Sequence, residues 1–194
     1  MREIALHLLD IAENSAAADS QNVSIEVHED LFQDLLTASV TDDGRGMDVE
    51  TAKNVQDPFY TTRTTRKVGL GIPLLKLAAE QAEGSFCLQS EPGKGTRVEA
   101  VFRYSNIDRM PLGDLSSTFL TALISHPTIH WIFVYRVTDQ DGNCQEFLFD
   151  DAELKNELGD LPLTEELPGR VGHHQAGQPP DEAVEVVEVG GEAT

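Results

Sequence analysis

The sequence has little positive charge and no long apolar run. Its 194 residues include 14 Lys and Arg against 34 Asp and Glu, which gives a formal net charge of −20. A protein this acidic repels phosphate backbones and anionic lipid, so neither nucleic acid nor a membrane is an expected partner. The acidic, amphipathic N-terminus differs from a secretory leader, and no stretch approaches the roughly 18 apolar residues of a membrane helix. We therefore expect a cytoplasmic protein.

Cysteine is scarce as well. Cys87 and Cys144 lie far apart and form no CxxC spacing, which argues against both a disulfide framework and a thiolate metal site. We expect both side chains to be buried as small hydrophobic groups.

The last part of the chain has no aromatic residue. From residue 161 it is rich in Pro, Gly, Gln and Glu, and such a segment cannot bury enough apolar surface to offset the entropy of ordering. Residues 161–194 are therefore predicted to be a disordered acidic tail. Its adjacent His173 and His174 make a poor metal site because a flexible segment does not fix ligand geometry.

Hydrophobic periodicity divides the rest of the chain into two parts. In residues 1–104 the spacing predicts three helices, four strands and a loop without clear period. The helices are expected at 3–18, 48–55 and 72–82, and the loop at 57–71. The strands are expected at 23–28, 35–41, 86–90 and 97–104. The pattern then starts again, with helices at 112–125 and 152–158 and strands at 129–137 and 145–149. We interpret residues 105–160 as a small C-terminal α+β module. Both faces of its first strand are apolar, and we expect both to be buried rather than to form a partner surface.

Asp10 and Asn14 form the first cluster of candidate functional residues. Four residues apart on the first helix, they project from one face, one turn apart. A carboxylate and an amide oxygen placed in this way can hold a water and a magnesium ion, since Mg²⁺ prefers oxygen ligands together with substrate phosphates. For an isolated pair, however, the solvated face of an amphipathic helix is the better interpretation.

The second cluster, Asp42, Gly44 and Gly46, follows a strand in the string VTDDGRGM. A carboxylate at a strand end can accept a hydrogen bond from an exocyclic amine such as N6 of adenine. The glycines would let the backbone turn and approach the base. An ordinary turn explains the same residues.

Two further glycine clusters follow. Gly69 and Gly71 in RKVGLGIPLL directly precede a helix, whose free N–H groups and dipole attract phosphate. Ten of the fourteen basic residues fall between Arg45 and Arg109, so positive charge is concentrated in the same part of the chain. The spacing is not that of a P-loop. The last cluster, Gly93, Gly95 and Thr96 in EPGKGT, is by itself best explained as a hairpin turn.

The order of these motifs resembles that of the GHKL ATPase superfamily. The strings DPFYTT, GLGIPLLK and SEPGKGT are similar to those of its histidine-kinase branch, and the resemblance covers residues 1–104. It implies the Bergerat fold, an α/β sandwich in which helices cover one face of a mixed, mostly antiparallel sheet. It also implies ATP and Mg²⁺ as cofactors.

The same resemblance implies a role for individual positions. Asn14 would bind magnesium through the ATP phosphates, Asp42 would contact adenine, and residues 59–68 would form a mobile lid. The nucleotide contacts implied in this way are Asn14, Asp42, Gly44, Gly46, Met47, Phe59, Thr61, Thr62, Arg66, Lys67, Gly69, Leu70, Gly71 and Thr96. No metal beyond nucleotide-bound magnesium is expected.

Three departures from the family pattern bear on function. Asp10 stands where kinases usually carry Asn and the gyrase branch carries the catalytic Glu, so it is the candidate general base. Ala17 replaces a phosphate-binding Lys. Because the motifs begin at the N-terminus, we expect no preceding phosphoacceptor segment. We also expect His7 to be an ordinary helix residue.

These features leave three hypotheses. The first is an ATP-binding protein that phosphorylates or regulates an unidentified partner protein in trans. The second is an ATP-hydrolysing conformational switch in which Asp10 activates water. The third is an adaptor that senses ATP or ADP without catalysis.

Overall fold

The computed structural model describes residues 3–57 and 71–158. Within these ranges the elements are, in chain order, α1 (Ile4–Ala17), β1 (Asn22–Asp30), β2 (Leu35–Asp42), α2 (Val49–Asn54), α3 (Gly71–Gln81), β3 (Ser85–Glu91), β4 (Gly95–Arg103), α4 (Leu115–Ser125), β5 (His130–Thr138), β6 (Cys144–Asp150) and α5 (Asp151–Leu158). Each lies close to an element predicted from hydrophobic periodicity.

The strands form one sheet in the order β3-β4-β2-β1-β5-β6. Neighbouring strands are antiparallel except for β1 and β5, which are parallel. The register pairs Ile25 of β1 with Val40 of β2 and with Phe133 of β5, so the apolar side chains of adjacent strands share a face. The predicted mixed, mostly antiparallel sheet is confirmed.

Helices α1, α3 and α4 cover this apolar face. Their inward side chains join those of the strands in one hydrophobic core, in which the largest fully buried apolar residues are Trp131, Phe102, Ile4, Leu8, Leu36 and Leu75. The buried face of α1 follows helical spacing, through Ile4, Leu8, Ile11 and Ser15. Ser15 is the one polar residue of this stripe and lies near the C-terminal end of the helix.

The described residues after 104, which end at 158, contribute to the same sheet. Strand β5 extends it beside β1, and Phe119 of α4 stacks on Phe133 with ring centroids 5.1 Å apart. The sheet therefore continues through the division predicted at residue 104. On β5, Trp131 and Val134 are buried on opposite faces, whereas Ile132 is half-buried.

Helix α4 begins at Leu115 rather than at 112, because Asp114 caps it by accepting a hydrogen bond from the Ser117 N–H at 2.9 Å.

The prediction that both cysteines are buried is wrong. Cys87 and Cys144 are exposed. Cys87 alternates with the inward-facing Phe86 and Leu88 and so projects from the open face of the sheet, while Cys144 begins the edge strand β6.

Across residues 3–57 and 71–158, none of the helices combines the length and the hydropathy that crossing a bilayer requires. The predicted tail, residues 161–194, lies outside the described residues.

Candidate functional site

The Asp42 carboxylate, at the end of β2, is held by three other parts of the chain. Its Oδ1 accepts hydrogen bonds from the backbone N–H groups of Gly44 at 3.0 Å and Thr96 at 3.2 Å. Its Oδ2 accepts one from the Ser15 hydroxyl at 2.7 Å. Helix α1, the turn after β2 and strand β4 thus fix one carboxylate.

This arrangement leaves an acceptor position unused at Asp42. An ionised carboxylate offers about four acceptor positions, and the three bonds above leave one position on Oδ2. The side chain is half-buried, so a ligand can reach it. An exocyclic amine such as N6 of adenine has the donor that this position accepts, so the residues present fit a purine of that kind.

Ser90 connects the two glycine turns beside Asp42. Its Oγ accepts from the Met47 N–H at 2.8 Å, donates to the Gly95 carbonyl at 3.0 Å and shares a hydrogen bond with the Thr96 hydroxyl at 2.9 Å. Sequence reasoning missed both Ser90 and Ser15. The signal for Ser15 was its place on the apolar stripe of α1, and that for Ser90 was its position opposite Thr96 in the β3–β4 hairpin.

Two of the glycines are required by close backbone approach. Gly46 has φ +62°, and a Cβ there would lie 2.0 Å from the Glu91 carbonyl oxygen. Gly95 has φ +95°, and its Cβ would lie 1.9 Å from the Asp42 carbonyl oxygen. A side chain at either position would push apart the turns that surround Asp42. These glycines therefore do more than terminate a hairpin.

Asp43 has a structural role that differs from that of its neighbour Asp42. It accepts hydrogen bonds from the backbone N–H groups of Gln21 and Asn22 at 2.8 and 2.9 Å, and from the Asn22 side chain at 2.6 Å. Burial acts to raise the pKa of Asp43, but the hydrogen bonds from Asn22 and Gln21 outweigh it and lower that pKa. Asp43 thus ties the end of β2 to the start of β1.

Asp10 and Asn14 lie on α1 beside the start of α3. A Cβ built on Gly71 would lie 2.9 Å from the Asp10 Cβ and 3.3 Å from its Oδ2, so the carboxylate contacts the first residue of α3. Both Asp10 and Asn14 are half-buried. Their oxygens are of the kind that Mg²⁺ prefers, and they lie near a helix N-terminus that favours phosphate.

His7 lies one turn before Asp10 and is 1% exposed. Burial lowers its pKa below the ordinary value of 6.5, although the Asp10 carboxylate and the Gly71 backbone act in the opposite direction. Apart from this contact with the Gly71 backbone, neither ring nitrogen has a hydrogen-bond partner among the described residues. His7 is therefore a neutral core residue at neutral pH.

The structure places eight of the predicted site residues in two groups. Asp42, Gly44, Gly46, Met47 and Thr96 surround the carboxylate at the end of β2, and Asp10, Asn14 and Gly71 lie where α1 meets α3. The other predicted contacts fall in the lid segment and lie outside the described residues: Phe59, Thr61, Thr62, Arg66, Lys67, Gly69 and Leu70.

Sheet order, helix placement and this acidic strand end define a nucleotide-binding domain of the Bergerat class. The model of one family, described as histidine kinase-, DNA gyrase B-, and HSP90-like ATPase, matches residues 1–106. The chain belongs to that family, and this part of it is an ATP-binding, histidine-kinase-like domain. The resemblance found in the sequence motifs is confirmed.

Similar proteins include sensor proteins of which this chain matches only a small part. A putative sensor protein of Shewanella frigidimarina is 28% identical over 109 residues, covering 56% of this chain and 16% of that protein. Sensor protein kinase FleS of Pseudomonas aeruginosa is 38% identical over 89 residues, covering 46% of this chain and 22% of FleS. The chain therefore spans less than a quarter of the length of these relatives.

Among solved structures, the Aquifex aeolicus MutL ATPase domain complexed with ADP is similar with a TM-score of 0.43 and 14% identity. The match covers 70% of this chain and 60% of that one.

Proposed function

We propose that this protein binds ATP with magnesium at the site around Asp42 and phosphorylates or regulates a partner protein in trans. The observation that carries the proposal is the Asp42 carboxylate, which three donors fix while one acceptor position stays available. Such an acceptor suits the amine of adenine, and the family supplies the expectation of ATP.

Asn14 would hold the magnesium ion together with the ATP phosphates. When bound, the ion would neutralise charge on the phosphoryl group being transferred. Thr96 would support the base beside Asp42, and the N-terminus of α3 at Gly71 would face phosphate oxygens.

Transfer in trans is supported by the state of His7. It is the histidine nearest to Asp10 on α1, and at 1% exposed it cannot receive a phosphoryl group without leaving the core. His7 is therefore not the expected phosphoacceptor, and the proposal places the accepting side chain on a partner protein.

ATP hydrolysis is a second candidate activity, favoured by the contact of Asp10 with Gly71. There the carboxylate would lie on the phosphate side of the site and could orient and deprotonate an attacking water. Asp10→Asn should then abolish phosphate release while leaving ATP affinity within a few-fold of its original value.

The proposal is tested by calorimetric titration with ATP and with ADP, each with and without Mg²⁺. Asp42→Asn should weaken ATP binding by at least about tenfold, because the hydrogen bond to a charged acceptor is lost. Asp19→Asn is a matched control: its side chain is 88% exposed, it forms an ion pair with Arg45, and its positive φ of 60° suits Asn. Equal affinity in Asp42→Asn and Asp19→Asn would contradict the proposal.

A second experiment separates the activities once binding is established. The protein is incubated with Mg²⁺, γ-labelled ATP and each protein encoded beside it. Label on one of those proteins, lost with Asn14→Ala, supports a kinase; release of phosphate alone supports the switch. Binding with neither outcome would leave the adaptor hypothesis and reject both catalytic ones.

A further inference from the structure

A second cluster of polar side chains lies where β5 begins and β6 passes into α5. Nε2 of His130 is 2.7 Å from Oδ1 of Asp150 and 3.7 Å from Oδ1 of Asp151. One ligating atom from each of these three residues lies within 4.8 Å of the others. The family match, which ends at residue 106, assigns no function to them.

Asn22 fixes the orientation of the His130 ring. The Asn22 side-chain N–H₂ donates to Oδ2 of Asp43 at 2.6 Å, so its oxygen faces Nδ1 of His130 at 2.9 Å. An amide oxygen can only accept, and Nδ1 must therefore carry a proton. Nε2 faces Oδ1 of Asp150, a carboxylate oxygen that also only accepts, so an ion bound at Nε2 must displace the proton that Nε2 donates there. The arrangement is otherwise that of metal-binding histidines, whose other nitrogen donates to an oxygen.

Asp151 provides an independent indication of a ligand. Its side chain is 0% exposed, and its Oδ1 has no hydrogen-bond partner among the described residues. Lys155 Nζ neutralises Oδ2 through an ion pair at 2.6 Å and is itself held by the Ile129 carbonyl. Oδ1 is left facing His130 without a hydrogen bond, and an oxygen buried in this way is costly unless something binds it.

We propose that His130, Asp150 and Asp151 bind a divalent transition-metal ion of the zinc class, with Asn22 as the residue that orients the imidazole. One imidazole nitrogen and two carboxylate oxygens suit zinc, whereas magnesium and calcium prefer oxygen ligands alone. The ion takes the place of any proton on Nε2, which passes to solvent. This site does not depend on the proposed nucleotide function.

The bound ion would join the start of β5 to the start of α5. Asp150 Oδ1 also accepts from the Ala152 N–H at 2.8 Å, which fixes its orientation at the first turn of that helix. Its other oxygen remains for the metal. Metal binding should consequently stabilise the C-terminal part of the sheet.

The test is calorimetric titration of the chelator-treated full chain with zinc chloride. All variants carry Cys87→Ser, Cys144→Ser, His173→Ala and His174→Ala, which remove thiol and tail imidazole ligands elsewhere. One equivalent of zinc should bind and raise the melting temperature. His130→Gln and Asp150→Asn should each weaken binding by at least about tenfold.

His126→Gln is the matched control, since His126 also faces a carboxylate, with Nε2 3.0 Å from Oε2 of Glu13. It should leave zinc affinity unchanged. Cobalt substitution provides a second readout, because its visible absorption reports nitrogen and oxygen coordination directly and should disappear in His130→Gln. Zinc affinity equal in His130→Gln and in the parent chain, or no zinc binding by a folded parent, would overturn the proposal.

Discussion

Two carboxylate sites lie at the same end of the sheet, and the protein holds them in opposite ways. Asp42 is fixed by neutral donors, a hydroxyl and two backbone N–H groups. Asp150 and Asp151 instead face an imidazole and an ammonium group. Neutral donors orient a carboxylate without cancelling its charge, whereas cationic partners neutralise it. The first arrangement leaves an acceptor for a neutral amine donor, and in the second a bound cation would take the place of the proton on Nε2 of His130.

Asn22 lies between the two sites. Its side chain contacts Asp43, the neighbour of Asp42, and His130 of the second cluster. The two halves of the sheet also share one core, so changes in one half should affect the stability of both.

The largest effect should come from Trp131→Ala in β5. Trp131 is fully buried, and its indole N–H donates to the His126 carbonyl at 3.1 Å. We expect a loss of about 3–5 kcal/mol in the free energy of unfolding, measured by urea denaturation. Leu148→Ala in β6, where the side chain is 59% exposed, should cost far less. Equal losses in the two variants would show that β5 is not part of the shared core.

Gly46→Ala should impair the first site selectively. The new Cβ would collide with the Glu91 carbonyl, so we expect ATP affinity to fall by more than about tenfold, which corresponds to roughly 1.4 kcal/mol. Gly93→Ala has a similar φ of +76° but meets nothing within 4 Å, so it carries only the backbone strain. Calorimetry on both variants separates close approach from strain. ATP binding retained in Gly46→Ala would contradict the described packing of the turns.

His7 should make stability depend on pH. Because burial lowers its pKa, the unfolded chain takes up a proton below pH 6.5 that the folded protein does not. The free energy of unfolding should therefore fall as pH drops from 7 to 5, by up to about 1.4 kcal/mol per pH unit. His7→Leu should flatten this slope in urea denaturation. An unchanged slope in that variant would show that His7 is protonated in the core.

Ser15→Ala should have the smallest effect. It removes one donor from Asp42, so we expect a cost of about 1 kcal/mol in stability and a several-fold loss of ATP affinity. Ser117→Ala on α4, which removes a hydroxyl that donates to Asp114 at 2.6 Å, is the control and should leave ATP affinity unchanged. Equal ATP affinities in the two variants would show that Ser15 does not position Asp42.

Much of the fold could be predicted from the sequence because its signals are local. Strand alternation through Val23, Ile25 and Val27 and the capping residue Asp48 placed elements within a few residues of their observed bounds. The parallel pairing of β5 with β1 could not be predicted, since both faces of β5 are apolar and periodicity does not name a partner strand. The exposed cysteines were missed for a related reason, because exposure depends on which face a helix covers.

The residues of the candidate site that belong to ordered motifs could be predicted from the sequence, whereas single side chains that contact them could not. Asp42 and the glycines stand in recognisable strings, whereas Ser15 acts through a contact 27 residues away in sequence. The cluster of His130, Asp150 and Asp151 depends on strand register and on the burial of one carboxylate. Sequence spacing reports neither of these.

The most direct test of adenine recognition by Asp42 compares the affinities of the unaltered protein for ATP and for inosine triphosphate. Inosine carries a carbonyl oxygen in place of the adenine N6 amine, so it cannot donate to the remaining acceptor position of Asp42. If Asp42 accepts from N6 of adenine, ATP should bind at least about tenfold more tightly than inosine triphosphate, since hydrogen bonds to charged groups contribute about 1.5–3 kcal/mol. Asp42→Asn should reduce this difference. Equal affinities for the two nucleotides in the unaltered protein would contradict adenine recognition by Asp42.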